Sequence, residues 1–241
     1  MTVKQTLLGF FTLGIIACNL TCTDSNLQDN YTNIKIAGAM KNVMWQGELE
    51  GIINLDTIKN KKGLYGIGPE SYLTGELLIN DGQAYVSKVL SDSTMIVEKT
   101  FKVSAPFFVY GNVKEWKEVK LPESIKSIKE LENFIDKNSK DLQRPFIFKL
   151  IGQISNAKIH IQNLPEGTIV SSPEEAHQGQ INYKLQNEKV EIIGFFSTQH
   201  KGIFTHHDSY LHMHLITKDE SKMGHLDKVE FGKMKLYLQA S

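Results

Sequence analysis

The sequence is nearly without cysteine. Two occur in 241 residues, Cys18 and Cys22, both close to the start. The rest of the chain therefore has no internal disulfide, no thiolate nucleophile and no thiolate metal ligand. Its chemistry must rest on His, Asp, Glu, Ser, Tyr, Lys or Arg. A membrane-spanning run is missing as well. The apolar stretch from Leu7 to Ala17 has the length of a signal-peptide core, well below the roughly 20 residues that cross a bilayer. Net charge is the third absence. Lys and Arg together number 27, as do Asp and Glu, so no nucleic-acid partner and no acidic tail are expected. No internal repeat or low-complexity tract interrupts the chain. A content of 41% hydrophobic and 22% charged residues describes an ordinary globular protein, large enough for one large domain or two small ones.

The start of the chain reads as an address. Lys4 precedes the apolar run, which ends Ile15-Ile16-Ala17-Cys18: aliphatic, then small, then cysteine. This resembles a bacterial lipoprotein processing site, so residues 1–18 are expected to be a leader and Cys18 the lipidated residue. An ordinary cleaved signal peptide is the simpler alternative, and Thr21-Cys22 is a second cleavage point. The polar residues 19–34 then form a tether. The expected location is the bacterial envelope, with the lipid as the only membrane anchor.

Short strands dominate the chain beyond the tether. Ala37 to Trp45 is apolar and fits helix or strand. Glu48 to Leu55 leads into a short helix or turn, and Asn60 to Gly63 is a turn. Glu76 to Ile79 and Gln83 to Val86 flank Asp81-Gly82, a hairpin signature. Further strands are expected at Thr94–Val97 and Phe107–Tyr110. Gly66-Ile67-Gly68 is not a nucleotide loop, because no helical pattern comes after it. Ile125, Ile128, Leu131, Phe134 and Ile135 have helical spacing, with Ser124 as N-cap. Strands are expected again at Pro145–Gly152, Ala157–Ile161 and Lys189–Phe196, with a turn at Leu164–Gly167. Ser209–Thr217 and His225–Leu238 form a last hairpin. The division is an N-terminal β-rich half (35–121), a connecting helix (122–141) and a C-terminal β-rich half (142–241). The fold class is α+β and β-rich, with two packed, mostly antiparallel sheet or barrel-like halves and one or two helices.

Histidine is what the chain has in excess at one place. His200, His206, His207, His212, His214 and His225 lie within 26 residues, leaving two others elsewhere. Alternate residues of a strand share a face, so His212 and His214 project together while Leu211, Met213 and Leu215 pack on the other side. A turn centred near Asp219 and Glu220 places His225 opposite His214, about 5 Å away. Three convergent imidazoles suit a zinc site with an open position, or another divalent transition metal such as iron, cobalt or nickel. His206 and His207 are expected to be supporting or solvated residues, and His177 and His200 to lie on the surface. A cupin also places His-x-His on a strand. Its glutamate would fall where Lys218 and Asp219 stand, and its last ligand would come much later than His225.

These segments resemble the α-acetolactate decarboxylase family. Gly194-Phe195-Phe196-Ser197, Tyr210-Leu211-His212-Met213-His214-Leu215-Ile216-Thr217 and Met223-Gly224-His225-Leu226-Asp227 are similar to its zinc segment. Gly66-Ile67-Gly68, Leu73-Thr74-Gly75-Glu76, Ala105-Pro106-Phe107-Phe108-Val109 and Lys149-Leu150-Ile151-Gly152 support it. The likeness runs from about Val43 to Glu230. It implies zinc on His212, His214 and His225, with Glu76 beside it handling protons or completing the metal shell. It further implies no organic cofactor, a small 2-hydroxy-3-oxo acid as substrate, acetoin as product, and a homodimer.

Three departures accompany the likeness. His160 stands where the family carries an arginine for the substrate carboxylate, so His160 or nearby Arg144 takes that role, or carboxylate binding differs. Imidazole lacks the guanidinium fork. The family also sends back a second glutamate from a C-terminal tail, whereas the given sequence ends sixteen residues after His225. Thr74 and Ser71-Tyr72 replace an Asp and a Thr-Phe. A non-catalytic, metal-binding envelope lipoprotein that has lost the arginine is the alternative function.

Overall fold

The computed structural model describes residues 34–240. The leader, Cys18 and all of the expected tether except Ile34 lie outside the described residues. No helix among the described residues is long and apolar enough to cross a membrane.

Two six-stranded antiparallel sheets dominate the described residues. The first contains β1 (Lys35–Ala37), β3 (Leu64–Pro69), β4 (Glu76–Asn80), β5 (Gln83–Val89), β6 (Met95–Lys99) and β8 (Phe108–Asn112). Its order is β1-β8-β3-β4-β5-β6. Asp81 and Gly82 both have positive φ, as a two-residue hairpin turn requires, and join β4 to β5 where the sequence predicts. Between these strands lie α1 (Met40–Gln46) and the short pair β2 (Ile53–Asn54) and β7 (Ser104–Ala105). Gly66 and Gly68 lie in β3 under Phe108, whose ring occupies the space a side chain would take. The two glycines serve close packing.

The second sheet contains β9 (Trp116–Val119), β10 (Phe146–Ile161), β11 (Ile181–Gln186), β12 (Lys189–Phe196), β13 (Leu211–Thr217) and β14 (Met223–Gln239). β10 pairs with β12 along one edge and with β14 along the other. The sequence β10-β12-β13-β14 therefore closes into a ring. Phe146, Phe148 and Leu150 of β10 meet Val190, Ile192 and Phe196 of β12 and Leu211, Met213 and Leu215 of β13 in one buried cluster inside it. The alternate residues point outward. Ile147, Ile193, Phe195 and Ile216 pack against Tyr65, Ile67, Leu78 and Val109 of the first sheet. The fold class expected from the sequence is the one observed, with three short α-helices among the described residues.

Several boundaries differ from expectation. Pro145–Gly152 and Ala157–Ile161 belong to one sixteen-residue strand. The polar residues between them mimic a loop in sequence, but Gln153 and Asn156 reach Asn187 and Glu230 at its surface, while bulges let β10 bend against β14. Trp116–Val119, assigned by sequence to the first half, pairs with Leu236–Gln239 of β14 in the second sheet. The helix expected over 122–141 is α2, Ile128–Asn138. Its N-cap is Ser127, not Ser124, because only Ser127 has a glutamate three residues on, Glu130, to complete a capping box. The third helix, α3 (Pro173–Ala176), is too short to show periodicity, whereas β11, not among the expected strands, alternates Ile181, Tyr183 and Leu185 with Asn182, Lys184 and Gln186.

Helix α2 covers the mouth of the ring with Leu131 and Ile135 in the interior cluster. Its buried Glu132 receives hydrogen bonds from the Ser209 hydroxyl (2.8 Å) and the Tyr210 amide (2.6 Å), and also pairs with Lys129 (2.5 Å). Burial alone would raise the Glu132 pKa; the Lys129, Tyr210 and Ser209 contacts together hold it below the ordinary 4.5. The loop that enters β13 is thus tied to the helix. Glu132→Gln is expected to lose about 1–3 kcal/mol at neutral pH. A depressed folded pKa contributes stability above 4.5 that is lost as pH falls through the lower folded value. Urea unfolding at about pH 7 and about pH 3 should therefore show wild type and variant converging in acid.

Candidate metal centre

Strand register alone assembles the site. His214 on β13 is the cross-strand partner of His225 on β14, and His225 is in turn the partner of His160 on β10. The three form a row across neighbouring strands, and His212 adds a fourth imidazole two residues from His214. Opposite His214 and His212 on β12 stand Ile193 and Phe195, which face the first sheet. The histidines share that face, so they lie between the two layers rather than inside the ring.

His212, His214 and His225 each offer a ring nitrogen within 4.8 Å of the others, somewhat wider than the roughly 3.3 Å between two nitrogen ligands of a tetrahedral metal. All three are buried. His214 and His212 each lie against a backbone group, at Leu77 and Phe204, but no ring nitrogen of His214 makes a close hydrogen bond among the described residues, an arrangement that costs free energy unless something else binds it. Burial and the neighbouring imidazoles push the His212 and His225 pKa values well down, and that of His214, through burial and then His160, to about 3. The imidazoles are held neutral, the form that ligates metal. These residues fit a divalent cation.

Glu76, the first residue of β4, faces the triad from the other sheet. It is 2% exposed, so the hairpin-edge surface position its sequence context suggests is not where it lies. Oε2 is 3.5 Å from His214 Nε2 and Oε1 is 3.8 Å from His160 Nε2. The Gln162 amide donates to Oε1 at 3.4 Å. Burial raises the Glu76 pKa well above its ordinary value, more than the Gln162 hydrogen bond lowers it. Burial therefore favours the protonated carboxyl, and a bound cation would oppose that preference.

His160 is also buried, stacked on His225 with ring centroids 4.6 Å apart. Its Nδ1 lies 2.7 Å from Asp227 Oδ1. Arg144 is not available to replace the family arginine. It precedes β10, whereas His160 lies near the end of that strand, and its guanidinium donates to Asp136 and to the Ser139 and Leu142 carbonyls.

The remaining histidines divide. His206 Nε2 is 3.2 Å from His225 Nε2, so it borders the triad, while His207 is exposed. His177 is exposed, as the sequence suggests. Its ring nevertheless borders the same small, partly open cavity of about 30 Å³ as Glu76, His160 and His206, set edge-on to His160. It lies 35 residues before His212, and nothing local in the sequence marks it. His200 is half-buried, bonded to Ser197 and stacked on Phe204 outside the site. Asp227 is legible in the sequence only as part of a motif; its role comes from its contact with His160. Beyond His206 and His225 opens a cleft of about 350 Å³ that adds Lys129, Asp208 and Asp227.

The α-acetolactate decarboxylase family profile matches residues 37–241. The chain belongs to that family. Over 203 residues it is 29% identical to the α-acetolactate decarboxylase of Lactococcus lactis subsp. cremoris strain MG1363, covering 83% of this chain and 77% of the relative. The enzyme of L. lactis subsp. lactis strain IL1403 matches to the same extent. Among solved structures, Bacillus subtilis strain 168 α-acetolactate decarboxylase superposes with a TM-score of 0.68 at 21% identity, covering 86% of each chain. A Staphylococcus aureus protein of unknown function similar to α-acetolactate decarboxylase gives 0.69 at 18%, covering 86% of this chain and 84% of that one. These superpositions show that the two-sheet fold is shared with family structures.

One glycine guards the centre. A Cβ on Gly224 would stand 2.5 Å from the His160 carbonyl oxygen, so Gly224→Ala must part β10 from β14 beside His225. This family member is expected to retain about tenfold less metal after that change, measured by metal analysis after dialysis against a weak chelator. Circular dichroism should remain that of the wild type.

Proposed function

We propose that this chain decarboxylates 2-acetolactate to acetoin at a divalent metal held by His212, His214 and His225, with zinc as the metal. The convergence of three buried imidazoles beside the buried Glu76 carboxyl carries this reading, and family membership supports it. A metal bound there supplies Lewis-acid polarisation of a carbonyl oxygen. The reaction releases carbon dioxide and takes up one proton, delivered to the carbon that loses the carboxylate. Glu76 is placed to give that proton, because burial favours the protonated carboxyl and its oxygens lie between His214 and His160. The two layers exclude water from the donor. His160, turned to the same cavity, contacts substrate.

The location follows the sequence. Export as a lipoprotein through Cys18, with the lipid as membrane anchor, belongs to this proposal, as does a homodimer.

A second reading has its own support. His160 lies between Glu76 and Asp227 where a guanidinium would bind carboxylate, and Arg144 is engaged elsewhere. On this reading the protein is a non-catalytic metal-binding envelope lipoprotein. Acetoin formation from racemic acetolactate by zinc-loaded protein decides between them. Activity above the spontaneous rate is expected, falling to background in His212→Ala/His214→Ala and about 100-fold or more in Glu76→Gln. Stoichiometric zinc without acetoin would leave the binding protein, and no retained divalent metal would sink both.

A further inference from the structure

We propose that Asp227 is a positioning residue for His160, and that the pair offers one oriented nitrogen to an uncharged oxygen of the substrate. The proposal rests on the reading above that His160 contacts substrate.

His160 Nδ1 and Asp227 Oδ1 stand 2.7 Å apart. His160, Asp227 and His225 also group closely enough to hold a second cation. Two ligands of a tetrahedral metal with bonds of about 2.0–2.1 Å stand roughly 3.3 Å apart, whereas about 2.7–2.9 Å is the length of a charge-assisted N–H···O bond. The contact is a hydrogen bond. Nδ1–H therefore donates to Asp227, whose other oxygen lies 3.8 Å from the Lys158 ammonium. Stacking on His225 fixes the plane of the ring. Nε2 is left facing Glu76 Oε1 across 3.8 Å, too far for a direct hydrogen bond, and a substrate oxygen between them touches both.

Charge decides which oxygen that is. The carboxyl groups of Glu76 and Asp227 flank His160, and no Lys or Arg among the described residues lines the small cavity. A substrate carboxylate placed there would meet the lone pair of Nε2 and the nearby Asp227 carboxylate, with no side-chain cation in the cavity wall to offset them. A hydroxyl meets no such penalty, because it donates its proton to Nε2. The polarity of this position is thus opposite to that of a guanidinium, which offers donors and a fixed positive charge. For a 2-hydroxy-3-oxo acid, His160 holds the hydroxyl end and the carboxylate points away from it.

Long-range 1H–15N spectra of the zinc-loaded protein read the tautomer directly. Protonated Nδ1 and bare Nε2 are expected at His160. That signature should vanish in Asp227→Ala and persist in Asp227→Asn, whose amide oxygen still accepts. Acetoin serves as a probe with hydroxyl and keto oxygens and no carboxylate. It is expected to bind Asp227→Ala about tenfold more weakly than wild type or Asp227→Asn, with zinc stoichiometry unchanged. A bare Nδ1 in the wild type, or wild type binding acetoin no better than Asp227→Ala, overturns the proposal. Neither measurement needs turnover. A protein that passes both yet forms no acetoin from acetolactate would refute the decarboxylase reading and leave the Asp227–His160 pair in place.

Discussion

The pairing of β10 with strands on both of its edges is the constraint on which the rest depends. With β12 on one side and β14 on the other, the second sheet closes and gains an inside and an outside. The inside is filled by Phe146, Phe148, Ile192 and their neighbours from β13, burying apolar area at roughly 25 cal/mol per Å². The outside is where His160, His225 and His214 form a row. Because side chains alternate with a period of two, a one-residue slip would send the row into the apolar interior. The hydrophobic packing of the ring and the placement of the imidazoles are therefore one choice of register.

Packing the first sheet over that row supplies the chemistry. Desolvation acts oppositely on the two kinds of titratable group, raising the carboxyl of Glu76 and lowering the imidazoles. The same burial favours a neutral acid beside neutral metal-binding nitrogens. Neither condition arises from either sheet alone. Glu76 comes from the first, the histidines from the second, and water is excluded only where they meet. The balance of positive and negative residues across the whole chain gives no sign of this local segregation.

Outside the interlayer, polar ties hold the edges of the site. Glu132 joins α2 to the loop entering β13 through two hydrogen bonds, and Lys129 of the same helix pairs with it. Lys149, on the outer face of β10, sits over the rings of Trp116 and Tyr237 and near Tyr65. That cluster draws together β3, β9, β10 and β14, contacts each worth about 0.5–2 kcal/mol. Trp116 thereby belongs with the second sheet although its place in the chain suggests the first.

Local rules are enough for the elements whose signals are local. The Asp81-Gly82 turn, the β12 boundaries and the His212–His214 face follow from backbone preference and strand period, which act over a few residues. The turn beyond Thr217 sets His225 opposite His214, so the three convergent imidazoles are legible from spacing. The start of α2 is legible too, but two serines compete for the cap, and Glu130 decides between them. What the tertiary structure alone decided is everything that depends on distant segments meeting: the continuity of β10, the crossing of β9 to the second sheet, the burial of Glu76, the arrival of His177, and the Asp227–His160 bond. Each is set by long-range pairing and desolvation, and neither leaves a periodic mark on the residues concerned. The sequence by itself determined that a group of histidines would converge; the fold determined which acids face them, and which protonation state their burial favours.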